Sequence, residues 1–192
     1  MSGIVGSRLN HRGSGLVGSL GTDGQVFTSS GAGVGATYEA AAAGGKVLQV
    51  VGNTNTSYVG NATVTYASTG LEQAITPSST DSDIIILLSA SMGVFNNLGA
   101  GVCQAETALY RDIGGGGYEV IEDYLISLGF YNDSEGAASY GGLAKSTIDS
   151  PSTTSAVTYR LYQSVYLATT SRVDINPYNN KSSIVLLEID GS

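Results

Sequence analysis

The stretch Ala156-Val-Thr-Tyr-Arg-Leu-Tyr-Gln-Ser-Val-Tyr-Leu-Ala-Thr169 alternates along its length. Val157, Tyr159, Leu161, Val165 and Leu167 share one face, and Thr158, Arg160, Tyr162, Ser164 and Tyr166 the other. That period of two is what a pleated strand with one side on a core imposes. Asp83-Ile-Ile-Ile-Leu-Leu-Ser-Ala-Ser91 reads differently, because its apolar residues are consecutive. Such a strand is apolar on both faces and needs cover on both sides. Residues 183–189 repeat the two-sided pattern. One-sided strands interleaved with two-sided ones predict two packed antiparallel sheets, an all-β sandwich or jelly roll.

Working outward, residues 46–51, 58–66 and 71–76 also read as strands, the last ending at Pro77 and a Ser-Ser-Thr-Asp turn. Gly114 to Gly117 predicts a hairpin loop or a disordered tip. Residues 119–130 fit a helix through Val120, Ile121, Tyr124, Leu125 and Leu128, but pairing in a jelly roll favours a strand, and both readings stay open. Residues 1–45 are interrupted by glycine throughout and hold no apolar run, so they read as an extended arm. Within the arm, Glu39-Ala-Ala-Ala-Ala43 offers about one helical turn, too short to persist alone. The expected organisation is an N-terminal anchoring arm, residues 1–45, and a β-sandwich knob, residues 46–192.

Of 192 residues 27 are glycine and only 12% are charged, while 42% are hydrophobic. Disorder needs the reverse balance, and a chain of this length can bury a core. The net charge of −8 argues against nucleic acid as a partner, since phosphate binding requires a surplus of Lys and Arg on one face. Residues 1–46 carry Arg8, Arg12 and Lys46 against Asp23 and Glu39, a balance of +1 that leaves −9 for the rest. Arg8, His11 and Arg12 are therefore the candidates for docking the arm on an acidic partner surface. Cys103, the single cysteine, sits in apolar company and reads as a small buried hydrophobe. The opening residues lack the continuous apolar stretch of a secretory signal, and no run approaches a membrane span. Folding in a reducing cytosol is expected, with no membrane insertion.

Few residues could build a catalytic site. Gly13-Ser-Gly-Leu-Val-Gly18 matches a dinucleotide fingerprint literally, but neither the strand before it nor the helix after it is present. The only histidine, His11, lies in the arm, which disfavours a nucleophilic triad. Asp81 with Asp83, Glu122 with Asp123, and Asp133 with Glu135 are the carboxylate pairs to consider for glycoside hydrolysis, and all read better as solvated turns. Asn132-Asp-Ser-Glu-Gly136 offers a fragment of a calcium loop without its spacing. No cofactor, metal or catalytic residue is expected. Twelve tyrosines against three phenylalanines and no tryptophan point toward binding, because Tyr combines a large contact area with a hydroxyl. Tyr110, Tyr118, Tyr124, Tyr131 and Tyr140 are the candidate receptor contacts.

Two stretches carry a resemblance. Gly18-Ser-Leu-Gly-Thr-Asp-Gly-Gln-Val-Phe-Thr-Ser-Ser-Gly-Ala-Gly33 resembles an element of tailed-phage fibre proteins. The body, through Ile75-Thr-Pro-Ser-Ser-Thr80, Asp149-Ser-Pro-Ser-Thr-Thr-Ser-Ala-Val-Thr-Tyr159 and Ser182-Ser-Ile-Val-Leu-Leu-Glu-Ile189, is similar to fibre-like virion structural proteins of marine tailed bacteriophages. The resemblance implies a homotrimeric jelly-roll knob on the virion surface and no catalytic residues. Residues 92–145 resemble nothing named. The expected role is a short tail fibre for host attachment, with a host surface glycan as a possible partner. A capsid head fibre or decoration protein is the alternative. A secreted glycan-active enzyme would need a carboxylate pair in a cleft, and a bacterial adhesin an export signal.

Overall fold

The computed structural model describes residues 25–28, 37–40, 47–96, 99, 101–124, 128–132, 136–166 and 172–191. The chain divides into two compact units, Met1–Gly44 and Gly45–Ser192. In the first, β1 (Gln25–Thr28) and β2 (Thr37–Ala40) pair antiparallel, with Phe27 opposite Tyr38 and their ring centroids 5.0 Å apart. The helical turn that residues 39–43 could offer is too short to persist alone, and its described residues, Glu39 and Ala40, lie in β2. Glu39 and Ala40 join a ladder because pairing satisfies their backbone, which a lone helical turn does poorly. Residues 41–43, Arg8, His11, Arg12 and the glycine motif at 13–18 lie outside the described residues.

The second unit runs through β3 (Val47–Asn55), β4 (Val59–Asn61), β5 (Ala67–Ile75), β6 (Asp83–Asn96), β7 (Gly101–Ile113), β8 (Glu119–Asp123), β9 (Leu128–Asn132), β10 (Ala137–Asp149), β11 (Val157–Val165) and β12 (Arg172–Ile175). A 3-10 turn at Pro177–Asn179 then leads into β13 (Ser182–Ile189). All pairings are antiparallel, in two sheets. In sheet I the long β6 pairs with β10 on one side. On its other side β13 covers Asp83 to Ser89 and β12 covers Met92 to Phe95. Beyond these, β3 edges β13 and β4 edges β12. Sheet II runs β5, β11, β7, with β8 and β9 sharing the far side of β7.

If β4, β9 and β12 are taken as continuations of β3, β8 and β13, the chain fills eight strand positions. Sheet I then holds the first, eighth, third and sixth, and sheet II the second, seventh, fourth and fifth. That interleaving is the double Greek key of a jelly roll. The core lies between the sheets, where Ile84, Ile86, Met92 and Val94 of β6 cluster with Cys103 and Leu109 of β7 and with Val157, Tyr159, Leu161 and Val165 of β11.

Local chemistry explains where the strands differ from the sequence reading. Val59–Asn61 is a strand, but Thr63 to Thr65 bend away despite their alternation. The Asn61 side chain accepts from the Thr63 amide at 2.9 Å and donates to the carbonyls of Thr65 at 2.9 Å and Gln163 at 2.8 Å. A side chain that satisfies the backbone locally replaces the ladder. The described residues of 119–130 form no helix: β8 and the first residues of β9 are both held by β7. Gly114 to Gly117 form the connection between β7 and β8, with positive φ at Gly114, Gly115 and Gly117.

One buried carboxylate fastens the sheet I end nearest β3. Glu188 is fully buried and accepts from the Ser78 amide (2.6 Å), Ser78 Oγ (2.7 Å), Ser82 Oγ (2.7 Å) and Gln49 Nε2 (2.6 Å). Burial pushes its pKa up, but the hydrogen bonds from Ser78, Ser82 and Gln49 outweigh burial and hold it at about 2. Its partners are all hydroxyls, amides and a backbone N–H, so its role is structural.

Candidate functional site

Antiparallel register sets the outward faces of sheet I. Near β3, outward rows cross four strands as Val50, Leu187, Ile85 and Ile148, then Gly52, Val185, Leu87 and Ser146, then Thr54, Ser183, Ser89 and Ala144. None of these side chains is charged. Val50 is 58% exposed, Leu87 42% and Ile148 65%. Among the described residues of the second unit, none supplies the second cover that the two-sided strands demand on this face.

Near β4, the outward row reads Gly60, Asp174, Gly93 and Tyr140, and the next places Arg172, Phe95 and Ala138 side by side. The two glycines make room. A Cβ on Gly93 would meet the Tyr140 ring at 3.2 Å and Phe95 at 3.1 Å, and one on Gly60 would meet the Tyr58 hydroxyl at 2.9 Å. Over this floor stand Tyr58, Phe95, Tyr140, Arg172, Asp174 and Tyr178, which with Pro177 line an open hollow of about 240 Å³.

The hollow's polar groups are ordered from beneath. Asp174, almost wholly buried, accepts from the Tyr58 hydroxyl at 2.9 Å. Arg172 brings Nε to 2.8 Å from Asp174 Oδ1 and donates to Oδ2 at 3.1 Å, and its guanidinium lies 4.5 Å from the Phe95 ring centroid. Phe95 meets Tyr140 edge to face at 5.6 Å, and Tyr140 meets Tyr178 at 5.4 Å with their hydroxyls 2.8 Å apart. Burial first, then the bond to Asp174, raise the Tyr58 pKa. The bond to Tyr178 raises that of Tyr140. Both hydroxyls stay protonated near neutral pH and can donate.

Tyr178 is delivered by a strained turn. Asn176, Tyr178 and Asn179 have φ of 55°, 59° and 58°, the left-handed region that non-glycine residues rarely adopt. Each such residue costs on the order of 1 kcal/mol or more and persists only where its surroundings over-determine it. Here Asn176 is buried, donates to the Ser57 carbonyl at 3.0 Å, accepts from Ser182 Oγ, and its amide donates to the Ser91 carbonyl at 2.9 Å. The result is a fixed turn that leaves Tyr178 79% exposed.

The five tyrosines singled out in the sequence do not converge. Tyr110 and Tyr118 lie on the outer face of sheet II in a mutually packed group: Tyr110 meets Tyr162 at 4.2 Å, Tyr118 meets Tyr162 at 6.0 Å, and Arg160 stacks on Tyr118 at 4.2 Å while pairing with Glu72. Tyr124 packs against the core, its ring 5.2 Å from Lys145 Nζ, and burial raises its hydroxyl to about 12. Tyr131 is exposed on β9. Only Tyr140 belongs to the hollow. Tyr58, Phe95, Arg172, Asp174 and Tyr178 were missed. Asn176-Pro-Tyr-Asn-Asn180, a turn composition around a tyrosine, was the available signal.

Among the described residues, no three His, Cys, Asp or Glu side chains gather as a metal site would require. Asp123 accepts from the Tyr66 hydroxyl at 2.9 Å and Asp83 from Ser150 Oγ. Asp133 and Glu135 lie outside the described residues. No protein-family model matches the sequence, and neither does any curated protein. Among solved structures, the chain is similar to the VP2 subviral particle of infectious bursal disease virus, at 10% identity and a TM-score of 0.34 over 87% of this chain and 38% of that one. The structure of the Gt strain of the same virus is similar at 7% identity and a TM-score of 0.35, over 86% of this chain and 44% of that one. The chain thus spans less than half the length of either protein.

Proposed function

We propose that the chain is a virion surface protein, a homotrimeric jelly-roll knob that binds rather than catalyses, mounted as a short tail fibre for host attachment. The observation that carries this reading is the uncharged outer face of sheet I near β3. Copies of a chain with net charge −8 repel one another, so close approach requires a face without charge. The three rows from Val50 to Ala144 are such a face, and covering its half-exposed Leu and Ile side chains adds part of the about 1.5–3 kcal/mol that full burial of each supplies. A second copy of the chain is the occupant that meets both conditions. The resemblance of the arm and body to phage fibre proteins supports three copies and a place on the particle, with residues 1–45 as the attachment to other virion proteins.

Cryo-electron microscopy of particles carrying the chain tests the reading. Three-fold knobs at the tail are the expected result. Knobs distributed over the capsid would replace the tail fibre with a head fibre or decoration protein, and particles without the chain would overturn the virion role.

A further inference from the structure

We infer that the hollow between Tyr58, Phe95, Tyr140, Arg172, Asp174 and Tyr178 is a saccharide site that takes one neutral pyranose ring. The inference rests on the reading of the body as a displayed binding module and names its ligand class.

Three independent features converge on this spot. Gly60 and Gly93 clear the floor of the sheet on either side of Asp174 in one register row, where a side chain would crowd the aromatic walls. The turn that holds Tyr178 outward keeps three left-handed residues within four positions. A strained segment that is locked from beneath and presents an exposed aromatic is the pattern expected of a ligand clamp. The lining itself combines apolar ring surfaces with fixed hydrogen-bonding groups, the composition of small-molecule sites.

The chemistry selects the ligand. A pyranose has an apolar face of C–H groups that packs on an aromatic ring and an equatorial rim of hydroxyls that both donate and accept. The Tyr140 and Tyr178 rings offer the first contact, and their hydroxyls with the Arg172 guanidinium offer the second, while the buried Asp174 holds Arg172 and Tyr58 in place. Arg172 is already paired with Asp174, so the hollow is close to neutral and sits on an acidic chain. Among the described lining residues the cation, Arg172, is held by Asp174, so an anionic sugar would meet the net negative field. A quaternary ammonium would face the Arg172 guanidinium on one wall. A volume of about 240 Å³ suits one ring rather than an extended chain.

Saturation-transfer NMR on the full-length protein provides the test, with methyl glucoside, methyl galactoside, N-acetylglucosamine, sialic acid and choline as probes. Transfer to the ring C–H protons of at least one neutral sugar is expected, falling about tenfold in Tyr178→Ala and in Tyr140→Ala and staying unchanged in Tyr131→Ala. No transfer to any neutral sugar, equal transfer in Tyr178→Ala, or preference for sialic acid or choline would overturn the inference. Light scattering on the same samples separates the two proposals: a monomer that still binds sugar removes the trimeric knob and keeps the site, while a trimer without sugar binding does the reverse. Thermal melts of each variant identify any that fail to fold, and Tyr178→Phe, which keeps the ring and loses the hydroxyl, then serves as the second variant, with partial transfer expected and undiminished transfer contradicting the hydroxyl's part.

Discussion

The two ends of the outer face of sheet I share one long strand, β6, yet they present opposite chemistry. Toward β3, the three rows from Val50 to Ala144 are aliphatic and hydroxylic, without charge or aromatic ring, and Asp83 stands at their margin opposite Ile189. Toward β4, the rows alternate glycine with Asp174, Arg172, Phe95 and Tyr140. A flat aliphatic face gains free energy by losing water along its whole area, which suits a large partner. A hollow with fixed polar groups gains by directional contacts with something small. On the proposed reading, one sheet carries a face for assembly and a site for recognition, and the point where β13 gives way to β12 divides them.

The largest effect is expected from charging the aliphatic end. Ile148→Lys or Leu87→Asp should reduce the particle mass in solution to that of one chain, measured by light scattering, while far-ultraviolet circular dichroism stays that of a β protein. Both positions already face water in the single chain, so the fold tolerates the charge and the assembly does not. The same substitutions should leave sugar binding by one hollow unchanged, which sharpens the division between the ends.

The next effect concerns the buried anchor beneath the aliphatic end. Glu188→Gln keeps the volume but turns an amide N–H₂ toward donors, and should cost about 2 kcal/mol in chemical denaturation. The sign of the pH dependence follows from a folded pKa of about 2, below the ordinary carboxylate value of about 4.3. Glu188 contributes its full stabilisation above the unfolded value, and that share is lost as pH falls from about 4.3 toward 2. Melting temperatures across this interval should fall more steeply for the native chain than for Glu188→Gln. Equal slopes would show that the carboxylate is not held low.

A smaller and more local effect is expected from Gly93→Ala. Its Cβ forces Tyr140 and Phe95 apart by a few tenths of an ångström, so sugar binding should weaken several-fold in titration while the mass in solution is unchanged. A matching loss of assembly would mean that the two ends are not separable.

The aliphatic end was legible in the sequence and the hollow was not. Ile84 to Leu88 and residues 183–189 are apolar on both faces, and that period alone demanded two covers. The alternation of residues 157–165 gave the inner face of sheet II in the same way. Strands β7 and β10 escaped because small and polar residues such as Gly101, Gln104, Ser139 and Gly142 blur the period, and their pairing with β11 and β6 supplies the missing specification. The hollow escaped for a different reason. Tyr58, Phe95, Tyr140 and Asp174 are dispersed along the chain, and only the register of β4, β12, β6 and β10 makes them neighbours. Counting tyrosines found Tyr140 and grouped it with Tyr110 and Tyr118, which the fold places on the other sheet.

The central claim, that the uncharged end of sheet I is covered by further copies of the chain, is tested most directly by the mass of the unmodified full-length protein in solution. Multi-angle light scattering at micromolar concentration should give about three times the 19.6 kDa of one chain. A mass of one chain at that concentration would contradict the account.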